Sequence, residues 1–249
     1  METFYHEQDF QIRTYEIDKA KRATVVALTR LMHEAAMQNV IKLKLSVWDL
    51  EPYKVSWVLM RKKLWIDRLP MLGEHIRVHT TPAGFNRSFT YRDYFVYDSN
   101  NQRIAAASST WLLMDTENRK MAPLPAFVKE FEQFMPAPED CLPRPEGKVP
   151  TLEDIKWTVP FRVDWHDLDF NQHLSNLNYL QWMLEVMPKD FLESNTPLSM
   201  QLEYKSESMY HDRIISEAAP IDSTHILHRL RNEDNDQILA TAISEWKTT

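Results

Sequence analysis

The chain has 249 residues, of which 43% are hydrophobic, and its formal net charge is −7. That apolar fraction is enough for a packed core and excludes a disordered chain, while the length suits one large domain or two smaller ones. The acidic balance argues against a general nucleic-acid binder, because such proteins need a basic face to replace counterions.

Glycine and cysteine are scarce, and this scarcity excludes several classes of site. The three glycines are Gly73, Gly84 and Gly147. P-loops, dinucleotide-binding turns and the nucleophile elbow of α/β-hydrolases need closely spaced glycines, so none of these is expected. Cys141 is the single cysteine, which excludes an internal disulfide, thiolate zinc sites and iron–sulfur clusters. We predict no cofactor and no bound metal.

The amino-terminal segment and the apolar runs bear on location. Glu2, Glu7 and Asp9 lie within the first ten residues, a pattern unlike that of a signal or transit peptide. The longest uncharged, apolar-leaning stretch covers residues 104–114 and is too short for a bilayer, which needs ~20 residues. We therefore expect a soluble, cytoplasmic protein.

The first half of the chain predicts one long helix followed by strands. An extended segment over residues 10–17 comes first, and apolar residues then recur on one helical face from Val25 to Asn39. The strand-like runs that follow cover residues 55–66, 74–81, 88–97 and 104–114. A short helix is expected over 127–134.

Proline marks a boundary between two domains. Seven of the 14 prolines lie between Pro123 and Pro150, a density that neither a helix nor a central strand tolerates. We predict a proline-stiffened linker over residues 136–155. It would separate an amino-terminal domain, residues 1–135, from a carboxy-terminal domain, residues 156–249.

The second half repeats the order of the first. An extended segment covers residues 158–165, and the spacing of Leu177, Leu180, Leu184 and Met187 predicts a helix that Pro188 closes. Strand-like runs follow at 198–206, 213–219, 225–231 and 237–247. The shared order indicates an α+β fold made of two copies of one unit, each an antiparallel sheet around a single helix.

One polar segment, residues 165–176, carries the chemistry. Asp169, Asn171 and His173 alternate, so an extended backbone would direct all three side chains to one side. The unpaired amides at the start of the next helix would suit a developing oxyanion. Two other interpretations stay open: an ordinary cap and turn, and a metal site that adds His166 and Asp167.

Two further pairs of histidines are closely spaced. They are His75 with His79, and His225 with His228. We predict that both pairs lie on the surface, without a role in chemistry.

The sequence resembles the acyl-acyl carrier protein (acyl-ACP) thioesterases of plants and bacteria, over most of its length and in both halves. The opening strand of that family is similar to residues 13–17. The other matching motifs are the Asp-Arg-x-Pro-x-x-Gly turn at 67–73, Ala-Ser-Ser-x-Trp at 107–111, Asp-x-Asp-x-Asn-x-His at 167–173 and Leu-Glu-Tyr-x-x-Glu at 202–207.

The resemblance implies a tandem hot-dog fold, with catalytic residues on the second domain and an acyl pocket formed with the first. It implies hydrolysis of fatty acyl-ACP to free fatty acid, and because the sequence shows no transit-peptide pattern we expect a bacterial member. Glu207 would be the general base and Asn171 would position water or the thioester. His173 would polarise the carbonyl, and Asp169 would either orient the pair or act as a nucleophile. Ser208 stands where many relatives have cysteine.

The implied partner is acyl carrier protein, with no nucleic acid or membrane, and the chain would be a monomer or a homodimer. An acidic enzyme would need a local basic patch to dock an acidic partner. The candidates are Arg61, Lys62 and Lys63, or Lys19, Lys21 and Arg22. Alternative functions are an acyl-CoA thioesterase, a hot-dog hydratase or dehydratase, and a non-catalytic acyl-binding protein.

Overall fold

The computed structural model describes residues 4–248 and divides the chain into two compact units, with the boundary between Pro145 and Glu146. Each unit combines antiparallel strands with one principal helix, which confirms the α+β prediction. No helix in the described part of the chain is both long and apolar enough to cross a bilayer.

From residue 4 onwards, the first unit contains six strands and three α-helices. They are β1 (His6–Gln11), α1 (Val25–Lys42), α2 (Val47–Leu50), β2 (Val55–Ile66), β3 (His75–Asn86), β4 (Phe89–Asp98), β5 (Arg103–Asp115), β6 (Met121–Ala122) and α3 (Ala126–Lys129). The strands pair antiparallel in the order β1-β3-β4-β5-β2, and β6 pairs with β5.

Helix α1 forms the core of the first unit because its apolar residues return with helical spacing. The side chain of Thr24 caps its start by accepting a hydrogen bond from the amide of Ala27, at 3.1 Å. Leu28, Met32 and Ala35 are completely buried. The helix packs on β1 and β3, so each full turn contributes an apolar side chain to the sheet.

The second unit has the same order with fewer elements. They are β7 (Trp157–Arg162), α4 (Asn176–Glu185), α5 (Lys189–Ser194), β8 (Asn195–Tyr204), β9 (Arg213–Pro220), β10 (His225–Asn232) and β11 (Ile238–Thr248). Its strands are antiparallel in the order β8-β11-β10-β9-β7. Ser175 caps α4, which packs on β9 and β10.

The two units share their strand order, and residues at corresponding positions make corresponding contacts. The indole of Trp111 donates to Ser109 at 2.8 Å, and the indole of Trp246 donates to Ser244 at 2.7 Å. The two serines occupy corresponding positions in their sheets. Ser109 pairs with Lys62 on the neighbouring strand β2, and Ser244 pairs with Met200 on the neighbouring strand β8. The predicted internal repeat is therefore confirmed.

The proline-rich segment is packed at both of its ends. The amide of Leu142 donates to the buried carboxylate of Asp93 in the first unit, at 2.8 Å. Val149 and Leu152 join a buried apolar cluster of the second unit. The boundary at residues 145 and 146 falls inside the stretch 136–155. Its action as a linker, and the domain limits 1–135 and 156–249, stay predictions.

Some local predictions need correction. The extended segments end early, at Gln11 and at Arg162, because a tight turn and a short 3-10 helix follow them. His228 is buried, not on the surface: its ring nitrogens lie 2.9 Å from the carbonyl oxygen of Met183 and 2.7 Å from Ser244 Oγ. The ring can be buried because Met183 on α4 and Ser244 on β11 provide hydrogen-bond partners for both of its nitrogens.

Lys62 is also buried, with 2% exposure, so it is not available for a docking patch. Its ammonium lies 5.0 Å from the centre of the Tyr94 ring, and Nζ has no hydrogen-bond partner among the residues that the structure describes. Burial lowers the pKa of Lys62 to about 7 from its ordinary 10.5. Burial and the Lys62 charge also hold the pKa of His33 well below its ordinary value.

We expect Lys62→Met, which installs the residue of the counterpart Met200, to stabilise the protein. The folded-state pKa lies below the unfolded one, so the penalty is full below about pH 7 and disappears as the pH rises to about 10.5. One pKa unit is ~1.4 kcal/mol, so the gain near neutral pH should be a few kcal/mol.

Urea unfolding at several pH values measures this gain. Lys63→Met, at the half-exposed neighbouring position, is the matched control and should change stability by no more than ~0.5 kcal/mol. A gain from Lys62→Met that fails to shrink in alkali would contradict the argument.

Candidate active site

The segment from Leu168 to Leu174 is a tight hairpin turn. Leu168 and Leu174 form an antiparallel bridge, and the amide of Asp169 donates to the carbonyl of His173 at 2.8 Å. Gln172 donates back to the carbonyl of Asp169 at 3.0 Å and has a positive φ of 62°. A three-residue loop that ends in a left-handed residue has this geometry.

The alternation of Asp169, Asn171 and His173 therefore does not arise from an extended strand, and that expectation was wrong. Asp169 points into the turn instead. Its Oδ1 accepts from the amide of Asn171 at 2.8 Å and from the amide of His173 at 3.3 Å. The carboxylate thus fixes the backbone that carries the other two residues, as Asx turns do.

Most amides that follow the turn are already hydrogen-bonded. Those of Leu174, Ser175, Leu177 and Asn178 donate respectively to Ser208 O, Asp167 O, Ser175 Oγ and Ser175 O. The expected contribution of the helix start to an oxyanion is therefore small. Hydrogen bonds to the carbonyl oxygen of a substrate would therefore have to come from side chains of the turn.

Glu207 reaches the turn from the segment that follows β8, three residues after the strand ends at Tyr204. Its Oε1 lies 3.5 Å from Nδ1 of His173, with both side chains partly exposed to solvent. The antiparallel bridge between His173 and Met209 and the 2.8 Å bond from Leu174 to Ser208 hold the two segments together. The structure therefore brings two of the four predicted catalytic side chains into contact.

Asn171 and Asp169 enter the site differently. The Asn171 amide group is half-buried and has no side-chain hydrogen bond with residues in the described range, so it can serve a bound water or thioester. Asp169 acts through the backbone of the turn. Burial, and then the nearby Asp169 charge, raise the pKa of Tyr179 on α4.

Ser208 is a structural residue in this arrangement. It is completely buried, and its hydroxyl donates to the carboxylate of Asp212 at 2.8 Å. The same oxygen of Asp212 accepts from the amide of Met209 at 2.8 Å. The pair closes the loop that follows Glu207.

The first unit contains the same backbone frame without the chemistry. Ile17 and Ala23 form the matching bridge, and Lys21 has the matching positive φ of 62°. Asp18, the counterpart of Asp169, accepts from the amide of Arg22 at 3.0 Å. The counterparts of Asn171, His173 and Glu207 are Ala20, Arg22 and Leu69.

The two turns share their backbone structure but differ in the side chains that could take part in catalysis. The aspartate occurs in both turns, whereas the amide, imidazole and carboxylate side chains occur together only in the second. A carboxylate next to an imidazole can take a proton from water, and an amide can orient that water. Within residues 4–248, no group of three or more His, Cys, Asp or Glu side chains could hold a metal ion.

Comparison with known proteins places both units in one family. Residues 3–131 match the acyl-ACP thioesterase N-terminal domain, and residues 153–248 match the acyl-ACP thioesterase C-terminal domain. The chain belongs to the acyl-ACP thioesterase family. Its two site segments, residues 167–173 and 202–207, both lie within the C-terminal match.

Several plant proteins are similar over nearly the whole chain. The chloroplastic acyl-[acyl-carrier-protein] hydrolase FATB2 of Cuphea viscosissima is 29% identical over 96% of this chain and 62% of its own length. A chloroplastic palmitoyl-acyl carrier protein thioesterase of Cuphea hookeriana is 29% identical over 96% and 61%. The chain thus spans about three fifths of the length of these relatives.

Solved structures identify the fold as the tandem hot-dog of this family. The 12:0-ACP thioesterase from Umbellularia californica superimposes with a TM-score of 0.92 at 21% identity, covering 100% of this chain and 99% of its own. An acyl-ACP thioesterase from Bacteroides thetaiotaomicron gives 0.84 at 18% identity and 99% coverage of both chains. The fold prediction is confirmed.

Sequence reasoning missed the residues that support the site. Asn178 donates from its side chain to the backbone and the carboxylate of Asp167, both at 3.1 Å. Tyr179 and Tyr204 form further hydrogen bonds beside the site. The internal repeat gave one signal for such a supporting residue. When residues 74–82 are aligned with 212–220, Glu74 corresponds to Asp212, whose carboxylate accepts from Ser208 and Met209.

The turn geometry predicts different outcomes for two substitutions of Asp169. Asp169→Asn keeps an acceptor oxygen for the amide of Asn171, so hydrolysis of the substrate should stay within about tenfold of the parent rate. Asp169→Ala removes the acceptor and loosens the turn, and misplacement by about 1 Å can reduce the rate about 100-fold.

Steady-state kinetics on an acyl thioester, with thermal unfolding alongside, measures both effects. Asp18→Ala is the matched control, because it removes the same turn acceptor from the unit that lacks the imidazole; kcat should be unchanged on an acyl thioester without carrier protein, for which docking on that turn has no part. If Asp169→Asn is as inactive as Asp169→Ala at equal stability, the carboxylate itself takes part in the chemistry.

Proposed function

We propose that this protein is a thioesterase that hydrolyses fatty acyl-ACP to free fatty acid and holo-carrier protein. The observation that carries the proposal is the 3.5 Å contact between Glu207 and His173, on a turn that also presents Asn171. The names of its relatives, acyl-ACP hydrolases and thioesterases, support the substrate class.

In the proposed reaction Glu207 is the general base. It takes a proton from a water molecule that Asn171 orients, and the water oxygen forms a bond to the thioester carbon. His173 donates a hydrogen bond to the developing oxyanion; one such donor can contribute about 3 kcal/mol of transition-state stabilisation. When the carbon–sulfur bond breaks, the proton held by Glu207 passes to the leaving thiolate.

Covalent routes have less support from the geometry. Asp169 already accepts two backbone hydrogen bonds, and the Ser208 hydroxyl donates to Asp212 inside the protein. A nucleophilic hydroxyl needs a base that takes its proton and a path to substrate, and a completely buried Ser208 has no exposed surface. Cys141 lies in the proline-rich segment.

The partner proposed is acyl carrier protein, for an enzyme that is cytoplasmic, bacterial, and either a monomer or a homodimer. Of the basic residues considered for docking, Lys62 is ruled out by its burial. Arg22 forms an ion pair with Asp18 at 3.2 Å, while Lys19 and Lys21 are exposed on the first-unit turn. That turn is therefore the better candidate for a basic docking surface.

Incubation with acyl-ACP substrates of graded chain length tests the proposal directly. We expect free fatty acid to be released, and Glu207→Gln to lose at least about 100-fold in kcat, because general bases contribute ~10²–10⁴-fold. Glu185→Gln, the same chemical change at an exposed position on α4, is the control and should keep the parent rate.

Other products would identify the alternative functions. Release that is faster from acyl-CoA than from acyl-ACP would indicate the CoA thioesterase, and an enoyl product would indicate a hydratase or dehydratase. Binding of acyl chains without any turnover would indicate an acyl-binding protein. Each of these outcomes would overturn the acyl-ACP assignment.

Ser208→Ala addresses the covalent route separately. The variant loses one buried hydrogen bond, which should cost about 1 kcal/mol of stability, yet it should keep most of its activity because Glu207 remains. Thermal unfolding and kcat on the same sample measure the two effects. Loss of activity as complete as in Glu207→Gln, with the fold intact, would assign the hydroxyl a chemical role.

A further inference from the structure

Two tyrosines, the buried Tyr179 and the partly buried Tyr204, connect the segment after β8 that carries Glu207 to the start of α4. The hydroxyl of Tyr179, on α4, donates to the carbonyl of Ser206 at 3.0 Å. The hydroxyl of Tyr204, on β8, donates to the carbonyl of Asn176 at 3.3 Å. The bonds run in opposite directions between the same two segments, and the rings lie 5.7 Å apart. We call this pair the tyrosine brace.

The brace acts immediately beside the two catalytic side chains. Ser206 precedes Glu207, and Asn176 lies three residues after His173. The backbone already holds Ser206 from one side, because its amide donates to the carbonyl of Leu239 on β11 at 3.1 Å. The hydroxyl of Tyr179 adds a bond from the helix side, so the residue before Glu207 is fixed in two directions.

The first unit again provides an internal comparison. Its matching strand end has the same backbone bonds, from Asp67 and Arg68 to the carbonyl of Ile104 at 3.0 and 3.2 Å. The counterparts of Tyr179 and Tyr204 are Leu28 and Ile66, which are both buried and apolar. The fold therefore forms without either hydroxyl.

The unit without the brace secures this corner by other means. Arg68, the counterpart of Ser206, pairs with Glu74 at 2.7 Å and with Asp98 at 2.8 Å. An ion-pair cluster thus holds the corner where no catalytic carboxylate follows. In the second unit Ser206 stands in place of the arginine, and the carboxylate of Asp212, the counterpart of Glu74, accepts hydrogen bonds from Ser208 and Met209 instead.

A phenol hydroxyl that is buried without a hydrogen-bond partner lowers the stability of the folded protein, whereas an apolar residue at the same position does not. Burial raises the pKa of both tyrosines, so both stay protonated and act as donors. The second unit therefore has two hydroxyls that its own fold type does not need. They occur in the unit that contains the Glu207–His173 contact.

We propose that Tyr179 and Tyr204 are positioning residues for the hydrolysis described above. They do not touch the reacting atoms. They set the separation between the end of β8 and the start of α4, and thereby the distance from Glu207 to the imidazole of His173 and the amide of Asn171. The proposal rests on the proposed function, since it assigns these three residues the chemistry.

The test uses Tyr179→Phe, Tyr204→Phe and the double variant in the full-length chain. Each substitution removes one hydroxyl and keeps the ring. We expect kcat on acyl-ACP to fall about 10- to 100-fold with KM nearly unchanged. The double variant should be little worse than the poorer single one, because both bonds support the same separation.

Tyr94→Phe is the matched control. Tyr94 is a completely buried tyrosine of the first unit, so the variant also removes one buried hydroxyl, but from the unit that contains none of the proposed catalytic residues. Its kcat should equal that of the parent. If all three Phe variants lower kcat equally, or lower it only in proportion to lost thermal stability, the effect is structural and the proposal fails.

A second measurement separates this proposal from the proposed function. The nuclear magnetic resonance signals of the His173 ring nitrogens should move in Tyr179→Phe and Tyr204→Phe towards those of Glu207→Gln, but not in Tyr94→Phe. Unmoved signals would refute the brace even if the enzyme is active. Moved signals in a chain that releases no fatty acid would support the brace and refute the hydrolase.

Discussion

The candidate site depends on one contact, that of the Glu207 carboxylate with the His173 imidazole. The two residues lie far apart in sequence, Glu207 in the segment that follows β8 and His173 in the turn before α4. The contact exists because backbone bonds join the two segments on either side, from Leu174 to Ser208 and between His173 and Met209. A water molecule bound at this contact would lie next to the Glu207 carboxylate, and Asn171, whose amide can orient it, is two residues before His173 in the chain.

The internal repeat shows which parts of this arrangement belong to the fold. Both units have the turn, its left-handed residue, its aspartate and its capped helix. Whether a unit can catalyse a reaction therefore depends on the side chains at a few positions of this shared backbone. In the first unit those positions carry Ala20, Arg22 and Leu69, so a general base is missing where the backbone would have supported one.

The sequence predicted much of the fold and part of the site. Strand β2 was predicted at its observed limits, 55–66, and the order of elements in both units follows from hydrophobic period and proline placement. The structure has the turn that the cap-and-turn interpretation allowed; the extended alternative was wrong because Gln172 takes a positive φ without the usual glycine or asparagine signal. Lys62 was misplaced since nothing local distinguishes an inward strand lysine, and the tyrosine brace needs contacts between segments far apart in sequence.

A double-mutant cycle on kcat/KM for acyl-ACP, with His173→Ala, Glu207→Gln and the combined variant, tests the central contact most directly. Residues that act as one catalytic unit are strongly non-additive, so we expect the double variant to be no slower than the worse single variant. Losses that multiply would mean that the two side chains act independently, and a near-parental rate in either single variant would remove the contact from the mechanism.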